Sequence, residues 1–462
     1  MSGALGQGDL LDAHEPVLVT DLPDDVTSVS CGHFHSIAVT SSGEVWTWGR
    51  NNEGQLGHDS SPSDFNPLVC DTPRPVSSKL LRGVQIEQTT ASGVVTFAVD
   101  AEGQAYSWGA SKRGQLGLGS GVTESKTPQK IATNDLPIKK IACGWGHAVG
   151  IANTESGELL SWGYPVEGRL GYGYSEIQTM QAQTTSSGSP SGASSSYPLE
   201  NATAEEEEAV AACVWQPKEV ARLSGIRIVG ASCGADHTVV TTEWGAAFAF
   251  GDNSMNQLGT GPCTSEDLAD MLHLSEEYAG GGLQRLDSLG SNAASDVIQS
   301  VLFPTPVKVE SIACGHAHTL ALVKQCKLEE ALDGHRSTTT TAFDEVNCVY
   351  SWGWDSADQL GHDGGSGGVR TGLPTYVQMF QGTGADVVLD PIKVAAGRVH
   401  SVILTEGSQV YIWGSSKNGR LGYDLSEVTT PVPQKLYIPE ELEVSRVLDV
   451  ACGYDHTLLL VE

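Results

Sequence analysis

Cysteine and histidine four residues apart are spaced so that one short turn could offer two ligands to a metal. The chain contains Cys-Gly-x-x-His five times, at Cys31–His35, Cys143–His147, Cys233–His237, Cys314–His318 and Cys452–His456. Two worn copies, Ala91-Ser92-Gly93-Val94-Val95 and Ala396-Gly397-Arg398-Val399-His400, bring the total to seven. A structural zinc needs about four such ligands at one point. Copies more than fifty residues apart, each opening its own repeat, point to equivalent but separate places. The slots also accept Ala91, Val95 and Ala396. The pattern therefore predicts buried thiols and hydrogen-bonded core imidazoles at His35, His147, His237, His318, His400 and His456, with no metal or other cofactor.

Other chemistry finds less support. Gly117-Leu118-Gly119-Ser120-Gly121 and Gly364-Gly365-Ser366-Gly367-Gly368 look like phosphate cradles, but neither leads into Lys-Ser/Thr and a helix, so both read as turns or loops. No Gly-x-Ser-x-Gly elbow, His-Glu-x-x-His run or acidic pair in a persuasive context occurs. The sequence offers no bond-breaking site.

The elements that carry the Cys/His phrase are strands. After most copies comes an extended run ending in aromatic-Gly and then a turn close to Gly-Gln-Leu-Gly. Trp48-Gly49 leads to Gly54-Gln55-Leu56-Gly57, Trp108-Gly109 to Gly114-Gln115-Leu116-Gly117, and Trp162-Gly163 to Gly168-Arg169-Leu170-Gly171. Phe250-Gly251, Trp352-Gly353 and Trp413-Gly414 are followed in the same way by turns at 256–259, 358–361 and 419–422. Each run alternates with period two, large residues such as Trp46/Trp48 or Tyr411/Trp413 facing one way and small ones such as Val45/Thr47 the other. Small sheets stacked radially about an axis need that pairing of a large face with a small one.

These two phrases resemble the repeat of the regulator of chromosome condensation family, and the resemblance covers nearly the whole chain. It implies an all-β, seven-bladed β-propeller. Three long loop insertions are expected at about 174–212, 262–300 and 324–347, where the interval between successive His positions grows from 52 or 56 residues to between 81 and 90. The first is Ser/Thr/Gln/Gly-rich and too polar to offset ordering entropy. The second offers a helix over 265–272. The third is expected to form the tip of a strand pair. Residues 3–8 look like the turn of a repeat whose Trp-Gly strand is missing, and the seventh phrase runs through Leu458-Leu459-Leu460-Val461 without one. A closing blade built from both ends is thus expected to be one strand short.

Composition bounds the function. The 462 residues carry 54 glycines, 39% hydrophobic residues and a formal net charge of −30 from 26 basic and 56 acidic side chains. An evenly acidic surface repels phosphate backbones, so direct nucleic-acid binding is not expected. No run of about 18 apolar residues and no leader character at residues 1–6 is present, which predicts no membrane association and a cytoplasmic or nuclear protein with its ten cysteines as thiols.

The family resemblance implies a non-catalytic protein-interaction scaffold or adaptor, with guanine-nucleotide exchange on a small GTPase in some members and chromatin-protein binding in others. The charge excess points to a protein partner with a basic surface, such as a small GTPase or a histone. The run Glu205, Glu206, Glu207, Glu208 is the candidate for steering it. An alternative comes from one branch of the family, the plant ultraviolet-B photoreceptors, with their Gly-Trp-Arg-His-Thr motifs. Gly144-Trp145-Gly146-His147-Ala148 approaches that motif but has Gly146 where Arg is needed. Equivalent positions hold Phe34, Val94, Asp236, Ala317, Val399 and Asp455 or their neighbours, so no tryptophan cluster is expected.

Overall fold

A computed structural model describes residues 2–58, 68–173, 175–179, 213–261, 298–305, 307–326, 345–362, 369–377, 390–423 and 429–462. Seven antiparallel sheets follow one another in chain order. The first two comprise β1 (Val26–Cys31), β2 (His35–Thr40), β3 (Val45–Arg50) and β4 (Val69–Pro75), then β5 (Ile86–Ser92), β6 (Val95–Asp100), β7 (Ala105–Ala110) and β8 (Glu124–Lys130). The third and fourth are β9 (Ile138–Cys143), β10 (His147–Ala152), β11 (Leu159–Gly163) and β12 (Val214–Glu219), then β13 (Ile228–Cys233), β14 (His237–Thr242), β15 (Ala247–Gly251) and β16 (Gln299–Ser300). The fifth and sixth are β17 (Val307–Cys314), β18 (His318–Cys326), β19 (Glu345–Asp355) and β20 (Val369–Tyr376), then β21 (Pro391–Ala396), β22 (His400–Thr405), β23 (Val410–Ser415) and β24 (Thr429–Lys435). The last sheet has only β25 (Val447–Cys452) and β26 (Thr457–Val461).

The expectation of seven blades is therefore corrected. The chain forms six four-stranded blades and a small seventh sheet of two strands. The physical reason lies in the third strand, which in every complete blade contains the run ending in Trp-Gly or Phe-Gly. Among the described residues no strand of that kind pairs with β26. Residues 3–6 take the place of the turn that precedes the first blade, where Ala4 O accepts a hydrogen bond from the Trp48 indole at 2.8 Å and another from Ser36 Oγ at 2.7 Å. The ring closes with β1 packed against β25 and β26.

The core lies between blades. Val39 and Val45 of the first blade pack with Ala98, Tyr106 and Trp108 of the second, and Leu320, Leu322 and Val349 of the fifth with Ile403, Tyr411 and Trp413 of the sixth. The large face of one sheet thus meets the smaller residues of its neighbour. The glycine after each aromatic has φ between +103° and +113°, a conformation that L side chains rarely adopt, and lets the strand turn sharply toward the ring's end. In the fifth blade the middle strands run on to Cys326 and restart at Glu345, so the expected strand pair is longer than the sequence implied. The helix expected at 265–272 and most of the three insertions lie outside the described residues.

Candidate interaction site at the mouth of the ring

The six histidines form a belt that ties neighbouring sheets together at six of their seven junctions. His35 Nε2 stands 2.9 Å from Thr96 Oγ1, His147 2.9 Å from Thr238 and His237 3.0 Å from Thr319. His318 reaches Ser401 at 3.1 Å and His400 reaches Thr457 at 3.1 Å, while His456 meets Ser36 at 3.0 Å and closes the circle. Each hydroxyl also donates to a turn carbonyl, as Thr96 does to Gln55 O at 2.7 Å and Ser401 to Gln359 O at 2.7 Å. A hydroxyl has one proton, so the imidazole must donate and carries its hydrogen on Nε2. The Nδ1 atoms of His35, His147, His237, His318 and His400 are buried with no hydrogen-bond partner among the described residues.

Those Nδ1 atoms face the glycine of their own phrase. A Cβ on Gly32 would stand 2.5 Å from His35 Nδ1, and one on Gly315 or Gly397 the same distance from its histidine. Protonation would put an N–H with no acceptor against that bare Cα. Burial accordingly holds His35, His237 and His318 down at about 3 and His456 at about 4, with His147 and His400 well below the ordinary value. The second blade confirms the logic by exception. Val95 replaces the histidine, Ser92 replaces the glycine it would crowd, and Ala148 replaces the hydroxyl it would meet, with Val95 and Ala148 in one apolar cluster.

A second inter-blade device involves two turns. Arg169, with its side chain 4% exposed, pairs through Nη1 with Asp236 Oδ1 and through Nη2 with Glu167 at 3.0 Å. Arg420 Nη1 lies 3.0 Å from Asp455 Oδ1. Asp236 and Asp455 each precede the histidine of the following sheet. Where the turn holds Gln55, Gln115, Gln257 or Gln359 instead, that position is Val94, Gly146, Ala317 or Val399.

Backbone hydrogen bonds from sheet to sheet then draw the residues one place earlier around the axis. Trp145 N donates to Ala235 O at 2.9 Å, Ala235 N to His316 O at 3.0 Å, and His33 N to Gly93 O at 3.3 Å. The side chains so gathered form a cluster at the mouth. The His33 ring is 4.5 Å from Tyr454 and 5.7 Å from Trp145, and His316 is 6.0 Å from Trp145 and 6.1 Å from Tyr454. The Arg398 guanidinium lies 4.7 Å over Tyr454, and that of Arg50 lies 5.6 Å over Phe34. Trp145 remains 47% exposed. Burial, reinforced by His316 and Arg398, lowers His33 to about 4, and burial is also the main cause that lowers His316. At neutral pH the cluster thus offers aromatic faces, two neutral imidazoles and guanidinium donors.

This set can stack and hydrogen-bond. The phrase thiols add no nucleophile, since burial pushes Cys143, Cys314 and Cys452 up to about 12 and raises Cys31 and Cys233 well above the ordinary value. Among the described residues no three of His, Cys, Asp and Glu converge as metal ligands would. Trp48, Trp108, Trp162, Trp352 and Trp413 are buried between blades, away from the mouth, and Glu205–Glu208 lie outside the described residues. No second tryptophan is among the ring partners of Trp145 in the described residues. Tryptophans alone do not reveal this cluster in the sequence, since Trp145 is its only one. The signal was the position two before each histidine, where His33, Trp145, His316, Arg398 and Tyr454 all fall.

The sequence profile of the RCC1-like domain matches residues 1–328, and that of the regulator of chromosome condensation (RCC1) repeat matches 347–404 and 408–460. The ultraviolet-B receptor UVR8 of Arabidopsis thaliana is 29% identical over 423 residues, which cover 91% of this chain and 72% of UVR8. The E3 ubiquitin-protein ligase HERC2 of Mus musculus is 27% identical over 436 residues, covering 94% of this chain but only 7% of HERC2. Among solved structures, Prp20p from Saccharomyces cerevisiae superposes with a TM-score of 0.69 at 21% identity, over 99% of this chain and 89% of that one. The repeat, the inter-blade belt and the profile match together place the chain in the RCC1-like family of β-propellers.

Proposed function

We propose that this propeller is a non-catalytic docking platform that receives a protein partner at its mouth. The observation that carries the reading is the half-exposed Trp145 set among His33, His316, Tyr454 and Arg398. Trp, Tyr and Arg are the residue types that dominate binding energy at protein interfaces. The Prp20p structure was described together with that protein's binding to Gsp1p and histones. A small GTPase or a histone is accordingly the partner class we carry to this chain, with guanine-nucleotide exchange as the activity to measure. Exchange needs shape and surface contact rather than an acid, base or nucleophile. The net charge of −30 favours a partner with a basic surface by raising its encounter rate.

The test mixes the purified chain with a panel of nucleotide-loaded small GTPases and with core histones, following both association and nucleotide release. Trp145→Ala, Tyr454→Ala and Arg398→Ala are each expected to weaken binding about 30-fold, equivalent to about 2 kcal/mol. Replacing Glu205–Glu208 by Gln is expected to slow association at low salt without changing dissociation. Undiminished binding by the three mouth variants would move the contact elsewhere on the ring.

A further inference from the structure

The first strands of the seven sheets, β1, β5, β9, β13, β17, β21 and β25, touch one another in a closed circle. Each is an edge strand of its sheet, so together they wall a channel along the axis. Every one of them also slips in register against its neighbour at the same place, between Val26 and Ser28 in β1 and between Ile138 and Lys140 in β9, for example. The residue just after the slip is therefore equivalent around the ring. That level holds Lys140 in the third sheet and Lys393 in the sixth, with Ser28 in the first and Ser311 in the fifth. It lies five residues before the mouth position, as Lys140 does before Trp145, about 15 Å along the strand. It is a separate place from the mouth cluster.

The hydrogen bonds at this level are unevenly shared. Gln88, its member from the second sheet, is fully engaged: Nε2 donates to Ile141 O at 2.9 Å and Oε1 accepts from Ile141 N at 2.9 Å. Lys393 Nζ donates to Asp449 Oδ1 of the seventh sheet, and that oxygen also accepts from Val450 N at 2.7 Å. The side chains of Lys140, Ser28 and Ser311 have no hydrogen-bond or ion-pair partner among the described residues. Gly230, the equivalent place in the sheet after Lys140, has no side chain to answer it. Lys140 is open to water, yet burial is the main cause that lowers its amine, and Lys393 and Lys139 add to the lowering. Water thus reaches a side chain that protein surrounds, as inside a channel. A charge on the sixth sheet acts on one from the third across the axis, so both ammoniums reach inward. This level therefore sets two ammoniums against one carboxylate, in a chain whose net charge is −30. At the preceding residue the signs balance, with Lys139 opposed by Glu87 and Glu310 held by Lys308 at 3.2 Å.

We infer that this level of the channel binds one small tetrahedral oxyanion of the phosphate or sulfate class. Lys140 gives it a charge-assisted N–H bond, Ser28 and Ser311 give hydroxyl donors from the first and fifth sheets, and Lys393 adds its charge while staying on Asp449. The ligand's sign follows from what is left over. The carboxylate at this level is already taken by Lys393, so a cation finds no free acid there, whereas the unpaired groups are an ammonium and two hydroxyls that can donate. Its shape follows from where they stand. Donors on the first, third and fifth sheets approach from different sides of the axis, and an ion with four oxygens can meet them together where a single-atom halide cannot. The site stands apart from the docking reading and does not need it.

The test titrates inorganic phosphate into the full chain at constant ionic strength, with sodium chloride making up the balance, and follows binding heat and melting temperature. One saturable site is expected, with a melting temperature that rises with phosphate as mass action requires and with sulfate competing. Lys140→Gln is expected to weaken phosphate binding at least about 10-fold, because a hydrogen bond to a charged group is lost. In chloride alone the same change is expected to raise the melting temperature, since it removes an unpaired cation that burial disfavours. Lys140→Arg keeps the charge and is expected to keep most of the affinity. Lys126→Gln alters net charge equally at a side chain that is 68% exposed on β8, and is expected to leave the affinity unchanged. No heat or melting shift beyond that seen in chloride would overturn the inference, and so would equal affinity in the Lys140→Gln chain. An equal loss in the Lys126→Gln chain would also overturn it, by assigning the effect to the field of the whole molecule.

Discussion

A neutral imidazole can be buried only where one nitrogen has an acceptor for its hydrogen and nothing obliges the other to ionise. Each belt histidine meets that condition with a hydroxyl from the next sheet and a glycine behind it. His237→Ala strands the Thr319 hydroxyl's lone pair and opens a cavity, and is expected to cost about 1–3 kcal/mol. The molecule also shows how to remove a link cleanly, because Val95 and Ala148 occupy the two places without polar atoms. His237→Val with Thr319→Ala is therefore expected to cost less than the sum of the single changes, by at least about 0.5 kcal/mol in a denaturation cycle. Strict additivity would mean that the two side chains do not act as a pair. The histidine half of this link was legible in sequence as a repeated slot. The hydroxyl half was not, because Thr96, Thr238 and Ser401 belong to the next repeat, and only radial stacking brings them within 3 Å or so of the ring.

At the scale of the element, the four-residue turn that ends in Leu-Gly and opens with Gly, Asn256 or Asp358 acts as a connector whose second residue reads the neighbouring sheet. Arg occurs there where Asp236 or Asp455 precedes the next histidine, and Gln where that place is apolar or glycine. Removing Asp236 leaves the Arg169 guanidinium buried with only the half-exposed Glu167 as a counter-charge. An unpaired buried charge is costly, so Asp236→Ala is expected to destabilise by about 2–4 kcal/mol, toward the low end because Asp236 is itself partly exposed. Arg169→Gln added to it recreates the combination found at Gln257 and Ala317, and is expected to recover most of the loss by melting temperature. Failure of the second change to rescue would show that the pair is incidental to packing. The covariation was readable from the seven repeats. The strands themselves were legible from the alternation before each aromatic-Gly, and the boundaries at Cys326 and Glu345 were not, because that segment's polarity hides a ladder that continues through main-chain bonds.

For the whole molecule, sequence predicted a ring of seven units with a short closing blade, and backbone pairing among the described residues gives six four-stranded sheets and one of two strands. The belt links six of the seven junctions between sheets, and His456 with Ser36 carries it across the seam between the last sheet and the first. The belt also predicts how the protein responds to acid. Unfolded, the six histidines take up protons below their ordinary value near 6.5, whereas in the ring burial keeps them neutral to about 3 at His35, His237 and His318 and about 4 at His456. The unfolded state therefore binds more protons below pH 6.5, so the stabilisation is complete above that value and is lost as pH falls toward the folded values. Each histidine contributes a slope of about 1.4 kcal/mol per pH unit in that window. Global unfolding exposes all six imidazoles, so the slopes add. The melting temperature is expected to be flat from pH 8 to 7 and to fall steeply between pH 6.5 and 5, above the range in which ordinary carboxylates titrate. The His237→Val, Thr319→Ala chain has one fewer imidazole to protonate on unfolding, and its fall is expected to be shallower by one proton's share. A melting temperature unchanged between pH 7 and 5 would show that the imidazoles are charged in the ring, and the assignment of their hydrogens to Nε2 alone would have to be given up.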